Sequence, residues 1–231
     1  MSSDQRLRSD VAQRVRSTAG RLRASVDRRR PAGQPPGELE PLVGWSHGHR
    51  RESISPGDRT EPAPTVAVVV YQGVSSTEAE VVADALAVAL GARVRLVALE
   101  AGPYAAVEPA RTVIAEAFDD VPEPYGLVIP GGLGWRREAQ RSDVLRWLLQ
   151  ATDTARGTIA VSTGSLLLAA TGTLAGRETA SHWLAGDLLA ELGARPSTRR
   201  VVHGRLLVTA SGARAGAEAA RRLAKEMRFS F

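Results

Sequence analysis

Thr158-Ile159-Ala160-Val161-Ser162-Thr163-Gly164-Ser165-Leu166-Leu167-Leu168 is the stretch on which the reading of this chain turns. Its first four residues form a short apolar run with the character of a buried strand. Small residues follow, and then a leucine-rich run that reads as a helix closed by Gly172. A strand that turns abruptly into a helix is a frequent mount for a nucleophile, and the residue at this corner is Ser162.

The same alternation extends outward from the corner. Residues 65–71 are a continuously apolar, β-branched run, as expected of a strand covered on both faces. A helix is expected over 77–90, ended by Gly91. Strands are expected over 94–99 and 126–129, with short β-like pieces between 104 and 116. A helix over 143–151 follows, with Ser142 as its cap. Beyond the corner come a short strand over 178–181, a helix over 184–192, a hairpin around His203-Gly204 and a final helix over 212–227. Strands and helices alternating at this spacing predict an α/β fold with a mostly parallel central sheet and helices on both faces.

Residues 1–64 have another character. They hold 12 arginines and 8 acidic residues, and seven prolines punctuate 31–64. Apolar residues there are too sparse to offset the entropy of ordering, so 31–64 is expected to be disordered. Leu7, Val11, Val15, Leu22 and Val26 recur near helical period among arginines, which fits either a basic amphipathic helix over 4–29 or a solvated tail. Nucleic acid is an expected partner only through this arginine-rich segment. The net charge of +5 therefore lies mostly outside the 65–231 domain, and Lys225 is the one lysine.

Composition excludes several chemistries. There is no cysteine, so no disulfide, thiolate metal site or thiol nucleophile exists. No apolar run reaches the roughly 18–20 residues that span a bilayer, and the N-terminus lacks the apolar core of a secretory signal. A cytoplasmic protein without membrane contact is expected. His47, His49 and His203 stand at no metal-ligand spacing with a carboxylate, so no metal and no cofactor is expected.

In an open α/β sheet, ligands bind beyond the carboxyl ends of the strands. Three such loops carry candidate chemistry: Gln72-Gly73-Val74-Ser75-Ser76-Thr77-Glu78, Pro130-Gly131-Gly132-Leu133-Gly134 and Ser162-Thr163-Gly164-Ser165. Ser162 is a candidate nucleophile, with a helix cap by Ser162 or Thr163 as the competing role. Gly131 and Gly132 are candidate anion or oxyanion donors. Glu78 is a candidate acid or base, or a carboxylate favoured in a first helical turn. His182 is the base that Ser162 would need, or a packing histidine beside Trp183.

Together these residues resemble the ThiJ/PfpI superfamily, the class I glutamine-amidotransferase-like domains. Val161-Ser162-Thr163-Gly164-Ser165-Leu166-Leu167-Leu168-Ala169-Ala170-Thr171-Gly172-Thr173-Leu174-Ala175-Gly176-Arg177 is similar to the family run V-C-T-G-S-L-L-L-A-A-A-G-L-L-D-G-R. Glu178-Thr179-Ala180-Ser181-His182-Trp183 resembles A-T-T-H-W, Thr209-Ala210-Ser211-Gly212 resembles part of T-S-A-G, and Tyr71-Gln72-Gly73-Val74 with Glu78 resembles F-P-G-V and its acid. Within the superfamily the resemblance is to isonitrile hydratases and to the ligand-sensing domain of AraC-type transcriptional regulators. The pair of helix-turn-helix units that follows in those regulators has no counterpart before Phe231.

The resemblance implies a flavodoxin-like three-layer sandwich, usually a homodimer. It places Ser162 at the family's nucleophilic cysteine, Glu78 at its acid, Gly131 and Gly132 at its glycine loop, Thr163 after the nucleophile and His182 at a histidine near the pocket. Two departures stand out: serine replaces the cysteine, and Ala79-Glu80-Val81 replaces the Gly-Pro after the acid. A carboxylate that tunes a thiolate does not generate a serine alkoxide. The expectation is thus a small-molecule-binding, sensor-like domain with altered or lost catalysis. The alternative is an enzyme on a small carbon–nitrogen substrate, either isonitrile hydratase-like or a Ser/His hydrolase.

Overall fold

The computed structural model describes residues 63–229. The basic extension therefore lies, but for its last residues, outside the described region, including the helix considered over 4–29. In chain order the strands are β1 (Thr65–Val69), β2 (Val74–Ser75), β3 (Arg93–Ala98), β4 (Gly102–Val107), β5 (Arg111–Ala117), β6 (Gly126–Ile129), β7 (Gly157–Val161), β8 (Glu178–Thr179), β9 (Arg195–Pro196), β10 (Val201–His203) and β11 (Leu207–Ala210). The helices are α1 (Ser76–Leu90), α2 (Trp135–Glu138), α3 (Ser142–Thr154), α4 (Gly164–Ala170), α5 (Gly186–Glu191) and α6 (Ala213–Phe229).

Nine strands form one sheet in the order β10-β11-β7-β6-β1-β3-β5-β4-β2, and β8 pairs with β9 apart from it. From β11 through β5 every neighbour is parallel. The β10–β11 and β4–β5 pairs are antiparallel hairpins. This is the mostly parallel sheet of a flavodoxin-like α/β fold.

The continuous apolar strands are explained by the two faces of that sheet. Side chains alternate along a strand. In β1, Val66 and Val68 join one core with α1 and α6, while Ala67 and Val69 join the other core with α3 and α4. Strands β6 and β7 divide in the same way: Val128, Ile159 and Val161 on the first face, Leu127, Ile129 and Ala160 on the second. On the first face, Gly216 of α6 lets the helix sit close on Val82 and Val161; a β-carbon there would lie 2.8 and 3.1 Å from their methyls. On the second face, Trp147 stacks on Phe118 with ring centroids 4.1 Å apart and donates from Nε1 to the Phe118 carbonyl at 3.1 Å.

Several boundaries differ from the sequence expectation. Helix α1 does end at Gly91, whose φ of 67° is left-handed. Helix α3, however, has Arg141 at its N-cap with no side-chain cap bond; Ser142 is already the first helical residue. The segment expected as one helix over 184–192 is a 3₁₀ turn over Trp183–Ala185 followed by α5. Helix α2 was not anticipated, and residues 104–116 resolve into most of a long β4–β5 hairpin.

Candidate active site

Ser162, Gly131 and Gln72 follow β7, β6 and β1, three strands that are adjacent in the sheet, so their loops emerge side by side. Backbone bonds then knit two of these loops together. The Leu133 amide donates to the Gly73 carbonyl at 2.7 Å, and the Ser75 amide donates to the Gly131 carbonyl at 2.8 Å. The start of α1 is thereby held against the glycine loop.

Glu78 stands in the first turn of α1, three residues after the N-cap Ser75, whose hydroxyl accepts from the Glu78 amide at 3.4 Å. Ser-x-x-Glu is the pattern of a capping box, in which the glutamate folds back on its own helix. Here it crosses to the neighbouring loop instead. Oε2 accepts from the Gly131 amide at 2.8 Å, and the carboxylate also hydrogen-bonds the Ser162 side chain. Burial is the largest influence on this carboxyl and pushes its pKa up. The Gly131 and Ser162 hydrogen bonds act downward, and the nearby charge of Glu108 pushes up again. The net effect is a pKa above the ordinary carboxylate range.

Glu108 arrives through the β4–β5 turn. Ser76 Oγ donates to the carbonyls of Val107 and Pro109, each at 3.0 Å, Thr77 Oγ1 donates to the Glu108 carbonyl, and Ser75 Oγ donates to the Glu108 carboxylate at 3.4 Å. Three consecutive hydroxyls thus tether that turn to the start of α1. Tyr71 closes another side: its hydroxyl donates to the Pro130 carbonyl at 2.9 Å, and burial together with the charges of Glu78 and Glu138 pushes its pKa well up.

Ser162 is buried and carries φ = 55°, a left-handed conformation that is unusual for any residue but glycine. Such a backbone costs about 1–3 kcal/mol and persists only when its surroundings over-determine it. They do so here. The Ser162 amide donates to the Ala210 carbonyl at 2.8 Å, and its own carbonyl accepts from Ser181 Oγ at 2.7 Å. The strain aims the side chain at Glu78, in the manner of a nucleophile elbow.

The expected cap role of this corner does not hold. Thr163 occupies the N-cap position of α4 and makes no side-chain cap bond. Its Oγ1 is turned to the glycine loop, accepting from the Gly132 amide at 3.0 Å. The hydroxyls of both Ser162 and Thr163 are engaged across the site, not along the helix.

His182 is not positioned as a base. Its Nδ1 accepts from the Leu184 amide at 3.3 Å, capping the 3₁₀ turn, and its ring lies 5.8 Å from that of Trp183. No hydrogen bond joins it to Ser162 among the described residues. The neighbouring Ser181 is the residue that reaches Ser162, and does so through the backbone carbonyl. A Ser–His pair is therefore absent from this geometry.

The glycines are present for space. A β-carbon on Gly131 would lie 2.7 Å from Glu78 Oε2 and 2.8 Å from Thr163 Oγ1. Gly132, with φ = 151°, would bring one to 2.6 Å from the Val74 α-carbon. Their amides, expected as oxyanion donors, are already bonded to Glu78 and Thr163. Glu108, Tyr71 and Ser181 escaped the sequence reading. Only the Ser-x-x-Glu spacing at 75–78 carried a signal for the tether, and it pointed to a local cap. Among the described residues no group of three His, Asp or Glu side chains could hold a metal ion, and no helix is long and apolar enough to cross a membrane.

The raised carboxyl has a consequence for stability. Folded Glu78 keeps its proton to higher pH than the unfolded chain does, so the folded state binds more protons above the ordinary value of 4.5. Stability contributed by the protonated form is lost as pH rises from there through the folded pKa, and Glu138 acts in the same direction. Glu78→Gln is expected to lessen this decline. Urea unfolding of both proteins at pH about 4.5 and about 8 measures it, and an equal decline in the two would contradict the assignment.

The comparisons with known proteins agree with this fold. The DJ-1/PfpI family model matches residues 64–226. Over 110 residues the chain is 37% identical to an isonitrile hydratase of Pseudomonas putida, and this covers 48% of the chain and 48% of that protein. The chain thus spans about half the length of this curated relative. The fold is similar to a ThiJ/PfpI family protein from Pseudomonas syringae, with a TM-score of 0.63 and 25% identity over 79% of this chain and 81% of that one. It is also similar to Drosophila melanogaster DJ-1beta, with a TM-score of 0.63 and 21% identity over 71% of this chain and 90% of that one. On the family match and the architecture together, the chain belongs to the DJ-1/PfpI family.

Proposed function

We propose that this chain is a small-molecule-binding, sensor-like DJ-1/PfpI domain that uses the elbow pocket for recognition and has lost the thiol chemistry of the corner. The observation that supports this most is the pairing of Ser162 with the buried Glu78 carboxyl in a chain without cysteine. Among the described residues Glu78 is the one ionisable group bonded to the Ser162 side chain, and a carboxylate is too weak a base to make a serine alkoxide in useful amount. The same pair is well suited to binding: a hydroxyl and a carboxyl with a raised pKa offer a donor and acceptors to a small polar ligand. A relationship to the sensing domains of AraC-type regulators belongs to this reading on the strength of the resemblance over 144–183; a homodimeric state and a cytoplasmic setting belong to it as well.

The second reading is an isonitrile hydratase-like enzyme. It is favoured by the 37% identity to the Pseudomonas putida protein and by Glu78, a carboxyl beside Ser162 that burial makes a weaker acid than usual. The two readings separate in one experiment. Purified protein is titrated with an alkyl isonitrile and with the corresponding N-alkylformamide, following thermal stabilisation and formamide production in parallel. Stabilisation without turnover is expected. Turnover that falls on Glu78→Gln and Ser162→Ala would replace the sensor reading by the enzymatic one, and an absence of stabilisation across a broad metabolite panel would remove the first reading.

A further inference from the structure

A cavity of about 310 Å³ opens beyond the carboxyl ends of β1 and β3, on the sheet face that carries α3. That volume lies within the range of small-molecule sites. It is separate from the Ser162 corner: neither Ser162, Glu78 nor the glycine pair lines it, and Tyr71 stands as the wall between the two. Its apolar lining includes Val69, Phe118 and Val144.

Its polar lining is unusual. Glu138, the last residue of α2, is only 7% exposed, yet it lines this cavity. Among the described residues no donor hydrogen-bonds it. Arg141 Nη1 approaches Oε2 only to 3.9 Å, beyond hydrogen-bond distance, and also lines the cavity. Burial pushes its pKa up, with the charges of Arg141 and Arg137 acting against that. Arg141 therefore serves as its counter-charge without a direct hydrogen bond, and a ligand placed between the two would bond both.

We propose that this cavity is a second binding site, for an α-amino acid with an apolar side chain. The ammonium group would donate to Glu138, the carboxylate would accept from Arg141, and the side chain would lie against Val69, Phe118 and Val144. The match is one of spacing and sign. An anion and a guanidinium about 4 Å apart present the complement of a zwitterion whose own charges are neighbours. Neither charge alone would select that class; the pair does, and the apolar wall supplies the rest. The proposal is independent of what happens at Ser162.

Isothermal titration calorimetry of the full chain tests it, with L-phenylalanine as the probe. Phenethylamine lacks the carboxylate and 3-phenylpropionate lacks the amine. L-Phenylalanine is expected to bind saturably, each truncated analogue about tenfold or more weakly, because a charge-assisted partner is then left unpaired. Glu138→Gln is expected to weaken L-phenylalanine by a similar factor, and Ser162→Ala to leave it unchanged. The proposal is overturned if L-phenylalanine does not bind, if either analogue binds equally well, or if Ser162→Ala abolishes binding. The analogue series is run on the unaltered protein, so it decides the matter even if Glu138→Gln does not fold.

Discussion

Ser162→Cys is expected to raise isonitrile turnover about 100-fold or more over that of the parent. The substitution exchanges one atom at a position whose backbone is already held at φ = 55° by its amide donating to Ala210 and its carbonyl accepting from Ser181. A free thiol ionises near 8.5, within reach of a neighbouring acid–base group, whereas a serine hydroxyl does not. Glu78, protonated to higher pH than an ordinary carboxyl, is placed to donate to the thiolate. Because the chain has no other cysteine, the new thiol is also its own label. Iodoacetamide followed by mass spectrometry should give a single adduct, at residue 162. Labelling without turnover would mean that the pocket has diverged beyond its nucleophile, and would favour recognition as the settled role of the site.

Gly164→Ala is expected to destabilise the fold by about 3–4 kcal/mol. The β-carbon would fall inside the contact radius of the Ile129 carbonyl oxygen and 2.8 Å from that of Pro130. Both are backbone atoms of the buried end of β6 and the loop after it, so neither can swing aside as a side chain does. Relief requires β6 and α4 to separate, which opens the layer between Ile129 and Leu167, both fully buried. Thermal melting should fall by about 10 °C for a domain of this size. Gly172→Ala makes a useful comparison: φ there is 88°, but nothing lies within 4 Å of a new β-carbon. Its loss should reflect backbone conformation alone, about 1 kcal/mol. Equal losses in the two variants would show that crowding at Gly164 is relieved locally.

The central strands were legible because both their faces are covered, so β1, β6 and β7 read as unbroken apolar runs bounded by turn residues. The β4–β5 hairpin was not, because it lies toward the sheet margin and alternates exposed with buried positions; Pro103, Ala105 and Ile114 face outward. Helix α2 has a single turn and therefore no periodicity to detect. In the site, Ser162, Glu78 and Gly131 could be placed together because each follows a strand of one parallel sheet. Glu108 could not, since it reaches Glu78 only through the hydroxyl tether of Ser75, Ser76 and Thr77. His182 has the right chemistry for a base and the motif position to suggest one, but its ring nitrogen is spent on the turn that begins at Trp183.

The left-handed corner at residue 162 has one more implication. A strained, acid-flanked corner that holds a thiol is an easy target for peroxide, passing through sulfenic to sulfinic acid and taking its pocket along. An alcohol in the same place has no such ladder to climb. With serine there, and with no sulfhydryl anywhere in the chain, the corner keeps one chemical form through oxidative stress, and binding at it is insulated from thiol oxidation.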